Sequence, residues 1–114
     1  MSNLAIRLTP EPIRSLAYTS IGAGYMGIGT ALSNPSRILL IQNLTDVQLL
    51  FSFDGINDHI MLPSDGFLLL DVTANKTNNG GASYIGEGVR IYVKEVGTPS
   101  MGGVYVSSFY GIDG

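Results

Sequence analysis

Residues 37–50 read RILLIQNLTDVQLL, two strongly apolar runs around a short polar break, and Phe51, Ser52 and Phe53 then lead into the turn formers Asp54 and Gly55. Apolar runs this short, bounded by turn residues, are of strand length and leave no room for an amphipathic helix. The same grammar continues along the chain, where apolar and β-branched runs alternate with Gly, Asn, Asp and Pro clusters at short intervals. That is the pattern of a sandwich or barrel and not of βαβ units. About eight strands are expected, from nine candidate segments, 4–9, 13–20, 29–33, 37–42, 47–53, 59–62, 66–73, 89–96 and 103–110, of which 4–9 and 29–33 are the least strand-like.

At 114 residues the chain is the size of one domain. The expected fold is all-β, a single-domain antiparallel β-sandwich, jelly-roll-like in preference to immunoglobulin-like. Residues 15–114 form the sandwich and residues 1–14 an extended N-terminal arm. Pro10 and Pro12 remove two backbone donors from that arm, which suits an edge and not a central strand. Leu4, Ile6 and Leu8 alternate along it and are its candidate contacts with a neighbouring subunit.

Side-chain alternation assigns the faces. Val89, Ile91 and Val93 share one face of their strand while Arg90, Tyr92 and Lys94 share the other, and Val47, Leu49, Phe51 and Phe53 line one face of theirs. Residues 38–41 and 67–70 are instead apolar on both faces, the mark of strands covered on two sides, by a second sheet plus a loop or by another subunit. Turn chemistry separates the strands. Asp54-Gly55 tolerates positive φ, and Pro63-Ser64-Asp65-Gly66 reads as a turn with Pro at its second position and Gly at its last. The stretches 78–81 and 97–103 are the most flexible.

Only 13% of residues are charged, against about 25% in ordinary globular domains. A chain so poor in charge is suited to being covered by neighbours. Its net charge of −3 and six scattered basic residues oppose nucleic-acid binding, which needs clustered Lys and Arg. With no cysteine there is neither a disulfide framework nor a thiolate metal site. No signal-peptide pattern and no apolar run of membrane-spanning length is present, so synthesis in the cytoplasm and no membrane partner are the expectations. Asn43-Leu44-Thr45 and Asn75-Lys76-Thr77 fit the glycosylation sequon and are read as chance matches.

Candidate chemistry is sparse. Residues 22–27 contain a literal GxGxxG, and Asp46 lies near the distance of a ribose-binding acid. A dinucleotide site needs a helix at that point, however, and Gly27, Gly29 and Pro35 oppose one. Asp54, Asn57, Asp58 and His59 gather oxygen and nitrogen ligands without calcium-loop spacing, and turn chemistry accounts for all four. His59 is the only histidine, leaving the Ser and Thr hydroxyls without a convincing base. No cofactor, metal or catalytic residue is therefore expected. Six tyrosines offer amphipathic surface. Tyr25 and Met26, flanked by glycines, are large side chains that are costly to expose on a loop and are candidate partner contacts, as is Met101 in the 97–103 loop.

Taken together, the segments SRILLIQNLTDVQLLFSFDG, DHIMLPSDGFLLLDVTANKT, GVRIYVKEVG and GGVYVSSFYG resemble a recurrent small virion protein of tailed bacteriophages, over roughly residues 36–111. The resemblance implies a non-enzymatic structural component of the particle, and it supplies no catalytic residues. The favoured role is a capsid cement or decoration protein, which would bind the major capsid protein and its own copies as a homo-oligomer in the virion. A head–tail connector or tail component is the alternative within virions. Outside virions the alternatives are a carbohydrate-binding module and, behind it, a metal-dependent enzyme.

Overall fold

The computed structural model describes residues 6–71, 86 and 88–113, with the side chains of residues 6, 7, 112 and 113 left aside. Among these residues the chain is all-β, with nine strands in two antiparallel sheets and a single 3-10 turn at Tyr18–Ser20. The strands are β1 (Ile6–Pro10), β2 (Arg14–Ala17), β3 (Met26–Gly27), β4 (Ser36–Asn43), β5 (Leu49–Ser52), β6 (Ile60–Leu62), β7 (Phe67–Asp71), β8 (Tyr92–Glu95) and β9 (Gly103–Asp113).

The first sheet has the order β1-β9-β4-β7, with β2 also paired to β9, and the second has the order β3-β8-β5-β6. β9 is long enough to hold two partners in succession. Its first half pairs with β2 from Ala17↔Gly103 to Arg14↔Val106, and its second half pairs with β1 from Pro10↔Phe109 to Ile6↔Asp113. Residues 6–10 of the expected arm thus lie on the first sheet as a strand, and residues 1–5 are outside the described residues.

Both sheets contribute to one core. Leu39, Ile41, Val104 and Val106 from the first meet Leu49, Phe51, Leu62 and Val93 from the second, with Ile21, Ile28, Leu32 and Ile91 from the connections. Phe51, Ile91 and Val93 lie on the inward faces that alternation assigns them, and Val47, Phe53 and Val89 pack against the same cluster. Burial of side chains of this size, at about 25 cal/mol per Å² of apolar surface, is what holds the sheets together.

The segment 29–33 is not a strand. Gly29 takes a φ of 62°, and Thr30 and Ala31 turn their carbonyls to the buried Arg14 guanidinium, which donates Nε to Thr30 O at 2.7 Å and Nη2 to Ala31 O at 2.9 Å. The same guanidinium pairs with Glu11 at 2.7 Å, and Glu11 accepts from Asn34 Nδ2 at 3.1 Å. Burial works to raise the Glu11 pKa, but these donors hold it below the ordinary value. The satisfied pair tolerates its burial and clamps the loop to β2. The ladder on β8 is taken instead by Met26 and Gly27, opposite Val93 and Tyr92.

The 63–66 turn forms with its positions shifted from the expected ones. Gly66 N–H donates to Pro63 O at 2.9 Å, so Pro63 is the first residue of the turn and Asp65 carries the positive φ, 62°. Aspartate is among the few residues that tolerate this region.

Candidate interaction surface

Residues opposite one another in an antiparallel ladder share a sheet face. Leu39 and Ile41 are buried inward, as core partners of Leu70 and Leu68 on β7. Their alternates therefore face away from the core. Ile38 lies between Asp71 and Phe109, Leu40 between Leu69 and Ser107, and Gln42 between Phe67 and Tyr105. The result is an apolar outer strip on the first sheet, on which Phe67 is 65% and Leu69 51% exposed. The double-faced apolarity of residues 38–41 and 67–70 thus resolves into one face on the core and one face outward.

At one end of this strip the β4–β9 register slips between Ser36 and Ile38. Ser36 and Leu39 are both buried, so the extra residue puts Arg37 and Ile38 together on the outer side. Arg37 Nε is buried and has no hydrogen-bond partner among the described residues. At the other end stands the 63–66 turn, joined to β4 by the Asn43 N–H donating to Gly66 O at 2.8 Å.

A second cluster ties the glycine-rich loop to the second sheet. Tyr25 OH donates to Asp58 Oδ1 at 2.5 Å, Lys94 Nζ lies 3.1 Å from the same oxygen, and Lys94 sits over the Tyr25 ring at 4.7 Å. Burial and the Asp58 carboxylate hold the Tyr25 phenol well above its ordinary pKa. The Tyr25 hydroxyl and then Lys94 hold Asp58 below its own. The GxGxxG of residues 22–27 ends in β3 with no helix after it, and Glu95 N–H of β8 donates to Gly22 O at 2.9 Å.

Beside it, Asp54 organises the 53–59 loop. Its Oδ1 accepts from Ile56 N at 2.8 Å, Asn57 N at 2.9 Å and Ser52 Oγ at 2.7 Å, and Oδ2 accepts from Asn57 Nδ2 at 2.8 Å. The Asn57 and Ile56 amides hold its pKa far below the carboxylate range. Phe53 N–H donates to His59 Nδ1 at 3.0 Å. Each of these side chains closes the turn on itself. Among the described residues no three His, Cys, Asp or Glu side chains are grouped as metal ligands.

The candidate contact residues fall in three places. Leu4 is outside the described residues, Ile6 is placed by its backbone in β1, and Leu8 is exposed on that strand. Met26 is exposed at β3 beside the half-buried Tyr25, which already has partners within the chain. Met101 is exposed on a loop held by Asp46, whose Oδ1 accepts from Ser100 N at 2.9 Å and whose Oδ2 accepts from Ser100 Oγ. Asp46, the would-be ribose ligand, is thus the brace of the 97–103 loop, with its pKa lowered by the Ser100 hydroxyl and amide. Gly102 completes that loop at a φ of 86°, where a Cβ would collide with Leu44 O. Phe67, Leu69 and Arg37 were not singled out as contacts from sequence, although the apolar residues on both faces of their strands carried the signal for the first two.

A scan against protein-family models gave no match to the chain, and comparison with curated proteins and with solved structures gave none either.

Proposed function

We propose that the chain is a non-enzymatic structural component of a bacteriophage particle, a cement or decoration protein that binds the major capsid protein and further copies of itself. The observation that carries this reading is the outward apolar strip of the first sheet, with Phe67 and Leu69 of β7 opposite Gln42 and Leu40 of β4, and Ile38 opposite Phe109 of β9. Exposed apolar patches rimmed by polar groups mark interaction sites, and a surface low in charge has little to desolvate when covered. The resemblance of residues 36–111 to small virion proteins points the same way.

The strand order supports a jelly-roll sandwich. β2 pairs with β9, β3 with β8, β4 with β7 and β5 with β6, four nested antiparallel pairs distributed alternately over two sheets. That is the arrangement produced by folding one long hairpin over itself, and β1 is an addition to it at the β9 edge.

The test is quantitative mass spectrometry of particles purified from the virus whose genome encodes the chain. A cement protein is present in a copy number that scales with the capsid protein. A few copies per particle would move the reading to the neck or tail, and absence from purified particles would refute a virion role.

A further inference from the structure

We propose that His59 is a pH-dependent latch on the 53–59 loop: neutral, its Nδ1 holds the Phe53 amide and closes the mouth of the loop, and protonated, it lets that amide go. The inference goes beyond the virion reading and does not rest on it.

The loop joins β5 to β6, and two hydrogen bonds close its mouth. His59 N–H donates to Phe51 O at 3.0 Å, and Phe53 N–H donates to His59 Nδ1 at 3.0 Å. The first is a backbone bond, indifferent to the charge of the ring. The second needs a lone pair on Nδ1, which imidazole offers only when it is neutral and carries its proton on Nε2; in imidazolium both nitrogens are donors. Protonation therefore sets Nδ1–H against Phe53 N–H, donor against donor. Histidine is the side chain that changes charge between about pH 5 and pH 8. His59 is the only one in the chain, and it stands at the surface, where protons reach it.

The charges around the ring give the released state somewhere to go. Nε2 lies 4.0 Å from Asp54 Oδ2. The neighbouring Asp58 carboxylate is already engaged by the Tyr25 hydroxyl and by Lys94 of β8. Arg90, just before β8, lies over the Tyr92 ring and donates to Gly29 O. Asp54 is thus the anion toward which the charged ring is drawn. Asp54 keeps its bonds from the Ile56 and Asn57 amides, so the tip of the loop retains its turn while the Phe53 end opens and the Phe53–His59 ring contact, 5.8 Å between centroids, is given up. The tip carries Ile56, 79% exposed, and the latch sets how firmly that apolar side chain is presented. One surface hydrogen bond is exchanged for attraction between surface charges, which is worth little to the fold as a whole. The switch is therefore local.

Nuclear magnetic resonance of the full chain, titrated from about pH 8 to about pH 5, the range in which histidine changes charge, tests this. The ring nitrogen shifts of His59 should show Nδ1 unprotonated at the upper end. As the ring titrates, the Phe53 amide resonance should move with it, and the protection of that amide against hydrogen exchange, taken relative to an unfolded chain at the same pH, should fall by about fivefold, as loss of one hydrogen bond implies. The amides of Val93 and Val106 in the core should keep their protection. His59→Phe retains a ring and removes the acceptor, so it should leave the Phe53 amide unprotected at both ends and abolish the step. A His59 ring with its proton on Nδ1 at pH 8, a ring that stays neutral to pH 5, or a Phe53 amide whose protection ignores the titration would each overturn the latch, as would a step that persists in His59→Phe.

Discussion

Asn43 and Thr45 form a closed pair where the chain passes from the first sheet to the second: Asn43 Oδ1 accepts from Thr45 N at 3.0 Å and from Thr45 Oγ1 at 2.6 Å. The Asn43 amide nitrogen then donates to Val47 O at 2.9 Å, Leu62 O at 3.1 Å and Pro63 O at 3.0 Å. Both residues are buried. One side chain thereby satisfies the carbonyls of the β4–β5 connection and of the β6–β7 turn. A glycan on that nitrogen would be incompatible with this packing.

Asn43→Ala should accordingly be among the most damaging polar substitutions. It orphans buried carbonyls, each worth about 1–3 kcal/mol when left unsatisfied, so a loss of about 2–4 kcal/mol is expected from urea unfolding. Thr45→Val should cost less, because the Thr45 amide still reaches Asn43. A neutral Asn43→Ala would contradict this role.

Phe51 lies at the centre of the core with no exposed surface. Phe51→Ala should cost about 3–5 kcal/mol through lost burial and the cavity left behind, a large part of the roughly 5–15 kcal/mol that stabilises a domain. Asp54→Ala, at the rim of the same hairpin, should shift the urea midpoint much less. A silent Phe51→Ala in the isolated chain would move that face from the core to an intersubunit contact.

Tyr25 and Met26 should separate. Met26 is exposed, and Met26→Ser is expected to stay within about 0.5 kcal/mol of the native stability. Tyr25→Ser removes the hydrogen bond to Asp58 and the ring beneath Lys94, so the melting temperature should fall measurably. Equal, negligible effects would mean that the Tyr25–Asp58–Lys94 cluster contributes nothing to the fold.

Much of this architecture is legible in the sequence and some of it is not, for identifiable reasons. The strands at 47–53 and 103–110 announce themselves because each has a face on one core and a period of two, and that at 37–42 because its apolar run is of strand length. The segment 29–33 is among the weaker strand readings, and its Thr30 and Ala31 carbonyls are taken by Arg14, a residue distant in sequence whose claim on them leaves no local mark. β3 is only two residues long and exists because β8 offers it a ladder. Asn43 reads as a turn asparagine, since its acceptors Leu62 and Pro63 lie nineteen and twenty residues away. The outer strip was visible as double-faced apolarity, whereas the buried Arg37 nitrogen depends on a bulge that no residue pattern specifies.

Acid should destabilise the protein. Glu11, Asp46, Asp54 and Asp58 all have folded pKa values below their ordinary ones. Their contribution is therefore complete above the unfolded carboxylate values near about 4 and is lost as pH falls through the lower folded values. The urea midpoint should be flat between about pH 7 and pH 5 and decline below about pH 4. Glu11→Gln should make that decline shallower, and a midpoint that rises on acidification would contradict the assignment.

Deleting residues 2–9 removes most of β1 and leaves β2, β9 and the core residues among the described ones in place. Unfolding should remain cooperative with a lowered melting temperature, while incorporation into particles falls. If the truncated chain does not fold, β1 is integral to the sheet and not an added edge.

The central claim is that the outer face of the first sheet is covered in the assembled particle, and an electron-microscopy map of that particle at side-chain resolution tests it most directly. The account predicts repeated copies on the capsid shell, with Phe67 and Leu69 in contact with a neighbouring chain. Copies whose Phe67 and Leu69 face open solvent would contradict it.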